Sequence, residues 1–382
     1  MKSSGKIDII LLILVVVLAV FGVVMVFSAS YYSTITSNLS PYYYLQRAAQ
    51  WAGLGVAVMV GASFVPYRIY KVVALPAMLL AVLLLAALFI PGVGENINGA
   101  TRWIKVGPIT FMPGEFVKLA AIFFLAWYYT KYAKDTKTFL RGFLPVAALV
   151  AVVFVLIYKE PNLSTALIAA AAMLIIMFLA GVRVPYLVGF AAVSLLGIWY
   201  KIQSGGGEHL NRISGFLDPF SDAQDKFFQT VQGLIALGSG GLTGVGLGNS
   251  VEKALWLPFA QNDFIFAIIG EETGFVGCIL LMIAYLVLIW RCLLISTRAP
   301  DRFGMLIGAG AATLLAIQVI LNIGVVTSVL PPTGVTLPFI SYGGNAILLF
   351  MFLMGIVLNI SRGNAQPVSR RKKKAEASEA LA

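Results

Sequence analysis

Ten blocks of mostly apolar residues recur along this 382-residue chain, most of them about 20 residues long. A helix of about 20 residues covers the roughly 30 Å hydrocarbon core of a bilayer. Only 11% of the residues are charged and 60% are hydrophobic, whereas soluble domains are about one quarter charged. So little charge cannot cover a water-facing surface of this size. The sequence therefore predicts an all-α protein that crosses a membrane about ten times.

Short polar or proline-containing segments separate the predicted spans. The weakest separation is at 159–162, where Pro161 disfavours helix at the preceding residue. A membrane barrel would instead show alternating segments of about ten residues, which the sequence lacks. The predicted spans run over residues 9–28, 48–66, 72–90, 115–132, 143–158, 163–181, 184–200, 263–291, 304–326 and 345–360.

The placement of lysine and arginine predicts the orientation of these spans. With a cytoplasmic N-terminus and ten spans, 18 of the 27 basic residues but only 5 of the 16 acidic residues lie on the cytoplasmic side. Both termini are then cytoplasmic, and a large outer loop joins spans seven and eight. Basic residues scattered over short loops argue against nucleic-acid binding. We expect one transmembrane domain, 1–362, followed by a basic, disordered cytoplasmic tail, 363–382.

Cysteine and histidine are scarce. Cys278 and Cys292 lie in one apolar stretch, and His209 is the one histidine of the sequence. About 14 residues of straight helix hold the two cysteines too far apart for a disulfide. We interpret both as packing residues, and metal sites built from His/Cys clusters are excluded.

Acidic groups concentrate on the predicted outer side of the membrane, where ionisable residues at membrane depth are costly and mark candidate sites. Glu115 and Lys118 are three residues apart at the start of span four, so they share one helix face. This spacing fits a structural ion pair and a functional pair equally well. Asp263 begins span eight, and Glu271 and Glu272 follow two turns later. Helix capping explains one such acid but not three, so Asp263 is a candidate general base.

A glycine-rich loop, 238–250, precedes Asp263. Its glycines would let the backbone approach a phosphate or pack closely on another segment, and both readings stay open. The loop lacks the Gly-Lys-Ser/Thr ending of a P-loop. Basic residues on the outer side oppose the positive-inside trend and are candidates to bind an anionic lipid head group. They are Arg102, Lys105, Arg212 and Lys253, among which we expect Lys105 to be a solvated charge.

Residues 330–344 contain three prolines and three glycines, which rule out a continuous helix. Broken backbone at membrane depth is tolerated where it is buried in protein or lines a cavity. We therefore predict that this segment is a wall of a substrate groove. From the residues alone, a lipid-phosphate enzyme and a transporter of lipids or solutes both remain open.

These motifs resemble the SEDS family (shape, elongation, division, sporulation), which includes FtsW, RodA and SpoVE. The resemblance covers nearly all of residues 10–362 and includes 24–30, 98–104 and 113–119. Its most specific parts are 246–253 (Gly-Leu-Gly-Asn-Ser-Val-Glu-Lys) followed by 263–267, and 331–334 through 338–344. The Gly-Asn-Ser-Val-Glu-Lys motif is closer to the division or sporulation branch than to RodA.

The resemblance implies a peptidoglycan glycosyltransferase in the bacterial cytoplasmic membrane. Its substrate would be lipid II, an undecaprenyl-pyrophosphate-linked disaccharide-pentapeptide, polymerised with inversion into β-1,4 glycan. Asp263 aligns with the family's proposed catalytic carboxylate and would be the base towards the acceptor hydroxyl. The implied partner is a class B penicillin-binding transpeptidase, and a divalent cation, Mg²⁺ or Mn²⁺, on the pyrophosphate is left open. The implied substrate-binding residues are Arg102, Glu115, Lys118, Arg212, Lys253 and Ser341.

The sequence departs from the family pattern at three places. Phe259, Gln261 and Asn262 stand where the family often has Glu and His-Thr, Asn162 replaces the Asp of Pro-Asp-Leu-Gly-Thr, and Asn345 replaces the Ser after Gly-Gly. These departures remove neighbouring acid and base candidates but leave Asp263 in place. The alternative functions are a lipid II flippase, a RodA-like elongation polymerase and a structural scaffold of the division machinery.

Overall fold

The computed structural model describes residues 7–97, 100–106, 109–205, 216, 218–222, 227–254 and 256–363. Eleven α-helices with defined bounds lie in these residues. They are α1 (Ile9–Thr36), α2 (Tyr43–Phe64), α3 (Tyr70–Ala87), α4 (Pro113–Lys131), α5 (Leu144–Lys159), α6 (Leu163–Leu179), α7 (Val184–Gly205), α8 (Phe228–Ser239), α9 (Ile265–Thr297), α10 (Arg302–Val326) and α11 (Gly344–Gly363).

Ten of these helices coincide with the ten predicted spans, and α8 is the additional one. In the described part of the chain, six helical segments are long and apolar enough to cross a membrane, and α6 and the start of α7 are shorter apolar helices. The protein is therefore a mostly helical, polytopic membrane protein, as predicted. The six segments are Ile9–Thr36, Tyr67–Ala87, Phe139–Lys159, Ile265–Thr297, Arg302–Val326 and Gly344–Gly363.

A small sheet between α3 and α4 departs from the all-helical prediction. Strands β1 (Gly94–Ile97), β2 (Ala100–Val106) and β3 (Ile109–Phe111) pair antiparallel in the order β1-β2-β3. Ile104 of β2 pairs with Gly94 on one side and with Phe111 on the other. This stretch is rich in Thr, Ile, Val and Trp, which fit a pleated surface. The sheet defines one end of the helix bundle, hereafter the sheet end.

The helices differ in how much of their surface the protein covers. In the most apolar 18-residue stretches of helices α10 and α11, 72% of the residues are buried. These two helices therefore form the centre of the bundle. Outer helices instead expose large aliphatic side chains, such as Val72, Leu83 and Leu286. Apolar side chains that face outwards suit a lipid surround. Both cysteines are free and buried, as the packing interpretation predicts.

Helix α9 is broken at Gly274, where φ is 66° and ψ is −170°. The glycine-rich loop completes the hydrogen bonding at the break. The N–H groups of Val245 and Gly246 donate to the C=O groups of Glu271 and Glu272, at 3.0 and 3.1 Å. Two N–H groups beyond the break donate back to loop carbonyls. The loop thus satisfies backbone groups that a broken helix would leave unpaired.

Close approach of backbones explains the glycines in this loop. A Cβ atom at Gly244 would lie 2.2 Å from the carbonyl oxygen of Glu272, and one at Gly240 would lie 2.1 Å from that of Gly270. Gly244 also has a φ of 80°, which L side chains rarely adopt. Of the two readings of this loop, the structure supports close packing rather than a phosphate cradle.

Candidate functional site

A cavity of about 450 Å³ opens at the sheet end of the bundle. Strand β2, helices α4, α6 and α10, the turn before α9 and the broken segment 331–343 all contribute to its wall. Four of the seven predicted site residues line it, namely Arg102, Glu115, Lys118 and Asp263. The structure therefore brings together residues that are up to 161 positions apart in the sequence.

Asp263 lies in a tight turn two residues before α9 begins. Two contacts fix this turn: the Asn322 side-chain amide donates to the Asp263 carbonyl at 2.8 Å, and the Tyr342 N–H donates to the Gln261 carbonyl at 2.9 Å. Asp263 is half-buried, and its carboxylate faces Gly334 of the broken segment. Burial raises the pKa of Asp263 to about 6. A carboxylate with this pKa is ionised at neutral pH and can accept a proton.

The broken segment forms a wall of the cavity because α10 satisfies its backbone. The Gln318 side-chain amide donates to the Thr336 carbonyl at 3.1 Å, and that of Asn322 donates to the Val335 carbonyl at 2.6 Å. Apolar residues of the segment, such as Leu337, are buried. The predicted wall segment lies in the lining of this cavity, and its role in a substrate groove stays a prediction.

Glu115 and Lys118 form an ion pair inside the cavity. Lys118 Nζ lies 2.7 Å from Glu115 Oε1 and 3.3 Å from the Gln318 Oε1 atom of α10. Lys118 is 3% exposed. The pair therefore joins α4 to α10, and it also adds a compensated charge to the cavity wall. Both readings of this spacing, structural and functional, fit its position.

Arg102 comes from β2 and is held against the turn between α5 and α6. Its guanidinium donates to the carbonyl of Glu160 at 3.2 Å and to the carbonyl of Pro161. The Glu160 side chain is buried, and neither of its carboxylate oxygens has a hydrogen-bond partner among the described residues. Burial raises the pKa of Glu160 to about 8, and the positive charge of Arg102 offsets part of that rise.

The charges of the cavity lining balance. Among the described lining residues, Arg102 and Lys118 carry two positive charges, and Glu115 and Asp263 carry two negative charges when ionised. Buried oxygens without a partner remain on two of the lining residues, Glu115 Oε2 and Asn262 Oδ1. Each such oxygen gains a hydrogen-bond or cation partner if a ligand enters.

Lys253 lies outside the cavity, against the expectation that it binds substrate. Its Nζ atom is 2.7 Å from Glu272 Oε1 and 2.9 Å from Ser28 Oγ of α1. Lys253 is 4% exposed and Glu272 is 1% exposed. Because this buried ammonium pairs with a carboxylate away from the cavity lining, its position indicates a structural role.

Glu271 and Glu272 of α9 have different contacts from Asp263, which precedes the helix. Glu271 accepts from Ser250 Oγ and from the N–H of Val251, the latter at 2.8 Å, and so stabilises the turn that carries Lys253. Glu272 holds Lys253 itself. Of the three acids that the sequence places near the start of this helix, Asp263 is the one that lines the cavity.

Of the remaining predicted site residues, Ser341 is not part of the cavity lining. Ser341 is buried, and its Oγ accepts from the Leu337 N–H at 2.7 Å, so it stabilises the broken segment from behind. Arg212 lies outside the described residues. Lys105 is an exposed charge 3.5 Å from Glu95, as expected.

Sequence reasoning missed several polar residues of the wall. Gln318 lines the cavity, and Asn322, four residues later in the same apolar helix, holds the backbone of the wall; both are nearly fully buried. Polar amides at helical spacing in a membrane span were the available signal. Trp103 and Tyr342 also line the cavity, and nothing in their local sequence distinguishes them from interfacial aromatic residues.

Comparison with known proteins agrees with this architecture. The family model for FtsW, RodA and SpoVE, described as a cell cycle protein, matches residues 9–366. Stage V sporulation protein E of Bacillus subtilis is 38% identical over 355 residues, covering 93% of this chain and 97% of that protein. The probable peptidoglycan glycosyltransferase FtsW of Geobacter metallireducens is 36% identical over 361 residues, covering 94% and 96%.

Solved structures show the same fold. The rod shape determining protein RodA of Thermus thermophilus matches with a TM-score of 0.69 and 27% identity, covering 96% of this chain and 100% of that one. A chain from a structure titled for polymerization and crosslinking by a peptidoglycan synthase complex matches with a TM-score of 0.79 and 27% identity, covering 95% and 99%. The family match over nearly the whole chain, together with these likenesses, confirms the predicted resemblance: the protein belongs to the FtsW/RodA/SpoVE family.

Proposed function

We propose that this protein is a peptidoglycan glycosyltransferase that polymerises lipid II into β-1,4 glycan strands, in cell division or sporulation. The observation that carries the proposal is the position of Asp263, a half-buried carboxylate in a polar cavity that also contains Arg102. The names and identities of the relatives support the reaction class and the branch.

In this reaction the acceptor sugar hydroxyl attacks the anomeric carbon of the donor. Asp263 takes the hydroxyl proton, and the new glycosidic bond forms from the face opposite the leaving group. The bond between the anomeric carbon and the phosphate oxygen breaks, and the lipid pyrophosphate leaves with the electron pair. A positioned base of this kind contributes about 10²–10⁴-fold to the rate.

Arg102 is the cation that we assign to the pyrophosphate. Its forked guanidinium suits phosphate oxygens, and two backbone carbonyls already orient it. Lys118 is compensated by Glu115 at 2.7 Å, so it contributes a hydrogen-bond donor rather than net charge. The balanced lining therefore leaves a bound pyrophosphate with unneutralised negative charge.

A divalent cation, Mg²⁺ or Mn²⁺, would supply the missing positive charge. Glu115 Oε2 and Asn262 Oδ1 are the lining oxygens that fit it, since both are buried with no hydrogen-bond partner in the described part of the chain. Hard cations of this kind are bound by one or two protein oxygens together with phosphate oxygens. No group of three or more His, Cys, Asp or Glu side chains suited to a metal occurs among the described residues. Such a cation would therefore bind with the substrate.

We place the protein in the bacterial cytoplasmic membrane with ten spans, both termini in the cytoplasm and the sheet end outside. The positive-inside count supports this orientation. The Asp263 cavity then faces the outer leaflet, where a lipid-linked donor and acceptor meet. We assign a class B penicillin-binding transpeptidase as the partner, supported by the likeness to a chain of a peptidoglycan synthase complex.

The proposal is tested by reconstituting the purified full chain in vesicles with fluorescent lipid II, with and without a candidate transpeptidase. We expect glycan polymer that depends on Asp263 and decreases when a chelator is added. Translocation of lipid II across the vesicle membrane without polymer formation would contradict the proposal and favour a flippase. Transporters typically form their sites from interrupted helices, and the broken segment 331–343 would also suit that function.

A further inference from the structure

A run of tyrosines extends from the cavity along the sheet end of α1 and α2. Helix α1 continues to Thr36, eight residues beyond its predicted end, and α2 begins at Tyr43. Residues 31–44 contain five tyrosines, hereafter the tyrosine ridge: Tyr31, Tyr32, Tyr42, Tyr43 and Tyr44.

Ring contacts connect the near half of the ridge, Tyr43 and Tyr44, to the reaction cavity, and Tyr42 is the residue next to Tyr43 in the chain. Tyr342 lines the cavity, and its ring packs edge-on against Tyr44 with centroids 5.0 Å apart. Tyr44 contacts Tyr43 at 5.2 Å, and the guanidinium of Arg47 lies 4.9 Å from the Tyr43 centroid. Burial raises the pKa of the Tyr342 hydroxyl, and Arg47 offsets part of that rise.

The far half of the ridge is exposed. Tyr42 stacks on Phe27 with centroids 5.9 Å apart and an interplanar angle of 6°, and Phe27 meets Tyr31 at 5.9 Å. Tyr42 is nevertheless 55% exposed, and Tyr31 and Tyr32 are 39% and 41% exposed. One side of these rings packs on the protein while the other remains accessible.

We infer that the tyrosine ridge binds the glycan strand that the cavity extends. The C–H faces of a β-linked pyranose are apolar and its edges carry hydroxyls, and a tyrosine likewise presents an apolar face and a polar tip. A β-1,4 chain is extended, so its successive sugars can follow a line of rings that starts at the site of bond formation. This inference rests on the polymerase activity proposed above.

The competing explanation is an interfacial aromatic belt, in which tyrosines anchor the protein in the lipid head groups. Tyr132 provides a matched control because it lies at the other end of α4, far from Glu115 and Lys118, and also packs in a tyrosine cluster, 4.8 Å from Tyr128. A belt function predicts similar effects of removing Tyr42 and Tyr132, whereas a glycan site predicts an effect of Tyr42 alone.

The first experiment measures the length distribution of the polymer made by the reconstituted full chain from fluorescent lipid II. We expect Tyr42→Ala to shorten the product about fivefold when lengths are compared at equal consumption of lipid II. Tyr42→Phe and Tyr132→Ala should give wild-type lengths. Unchanged lengths for Tyr42→Ala, or equal shortening by Tyr132→Ala, would overturn the inference.

A second experiment separates this inference from the proposed function. Saturation-transfer NMR with a tetramer of β-1,4-linked N-acetylglucosamine measures sugar binding without any reaction. We expect binding to the wild-type chain and to Asp263→Asn, and loss of binding in Tyr42→Ala. Binding by a chain that makes no polymer would refute the polymerase and retain the ridge, whereas a wild-type chain that binds no tetramer would refute the ridge.

Discussion

Lys253 and Glu272 form a buried ion pair in which Nζ lies 2.7 Å from Oε1, and both side chains lie outside the cavity that contains Asp263. The pair fixes the turn after the glycine-rich loop to the first half of α9, and Ser28 of α1 hydrogen-bonds to both members. It therefore positions the helix that follows Asp263 without contacting the cavity.

Removing one member of this pair should destabilise the protein. We expect Lys253→Met or Glu272→Gln to lower the free energy of unfolding by about 3–5 kcal/mol, because each leaves a buried charge uncompensated. The double variant should recover much of this loss. Thermal unfolding in detergent measures both effects. If Lys253→Met instead kept its stability and raised KM for lipid II, Lys253 would be the substrate ligand that its sequence context implies.

Alanine substitutions at Gly244 and Gly248 separate the cost of a steric clash with α9 from the cost of a positive φ alone. Both have positive φ, 80° and 84°, but a Cβ at Gly244 would lie 2.2 Å from the Glu272 carbonyl oxygen whereas one at Gly248 meets nothing within 4 Å. We expect Gly248→Ala to cost about 1 kcal/mol of unfolding free energy and Gly244→Ala substantially more. Equal losses of stability in the two variants would show that the loop does not pack on α9 in this way.

Local sequence patterns predict the helices of this protein, whereas its contacts between distant residues do not follow from them. Apolar blocks of helical length predicted ten helices at the observed places, because span length depends on the bilayer rather than on tertiary contacts. The sheet at 94–111 was missed because the short strands are stabilised by pairing with each other. The pairing of Lys253 with Glu272 did not follow from the sequence because it forms only when α9 and the preceding turn come together.

Replacing Glu160 should stabilise the protein at alkaline pH. Burial raises the pKa of Glu160 from 4.5 to about 8 in the folded chain. As the pH rises, the unfolded chain loses this proton first, so the contribution of Glu160 to stability is complete below pH 4.5 and is lost by about pH 8.

Glu160→Gln replaces the titrating carboxyl group with a neutral amide, so the variant should not lose stability between pH 4.5 and pH 8 in this way. We expect a gain of roughly 3 kcal/mol in unfolding free energy at pH 8.5 and little change at pH 4.5. The exposed acid Glu95 supplies the control, since Glu95→Gln should show no such pH dependence. A stability gain that is the same at both pH values would show that the pKa of Glu160 does not differ between the folded and unfolded chains.

Arg102 should affect substrate binding, whereas its neighbour Lys105 should not. Both are basic residues of β2, but Arg102 lines the cavity and Lys105 is 60% exposed beside Glu95. We expect Arg102→Gln to raise KM for lipid II by about tenfold or more, because a charge-assisted hydrogen bond is worth about 1.5–3 kcal/mol. Lys105→Gln should leave KM within about twofold. Steady-state kinetics of the reconstituted enzyme measure both KM values. Equal effects of the two substitutions on KM would show that Arg102 does not bind the substrate.

The central claim is that Asp263 is the base, and the pH dependence of the polymerisation rate tests it most directly. Wild-type kcat/KM should rise with pH through about 6, the pKa that burial gives Asp263, and should be about tenfold below its plateau at pH 5. Asp263→Asn, which keeps the size of the side chain, should fall by about 10² or more at neutral pH and lose this rise. An Asp263→Asn enzyme that polymerises at the wild-type rate with the wild-type pH profile would contradict the account.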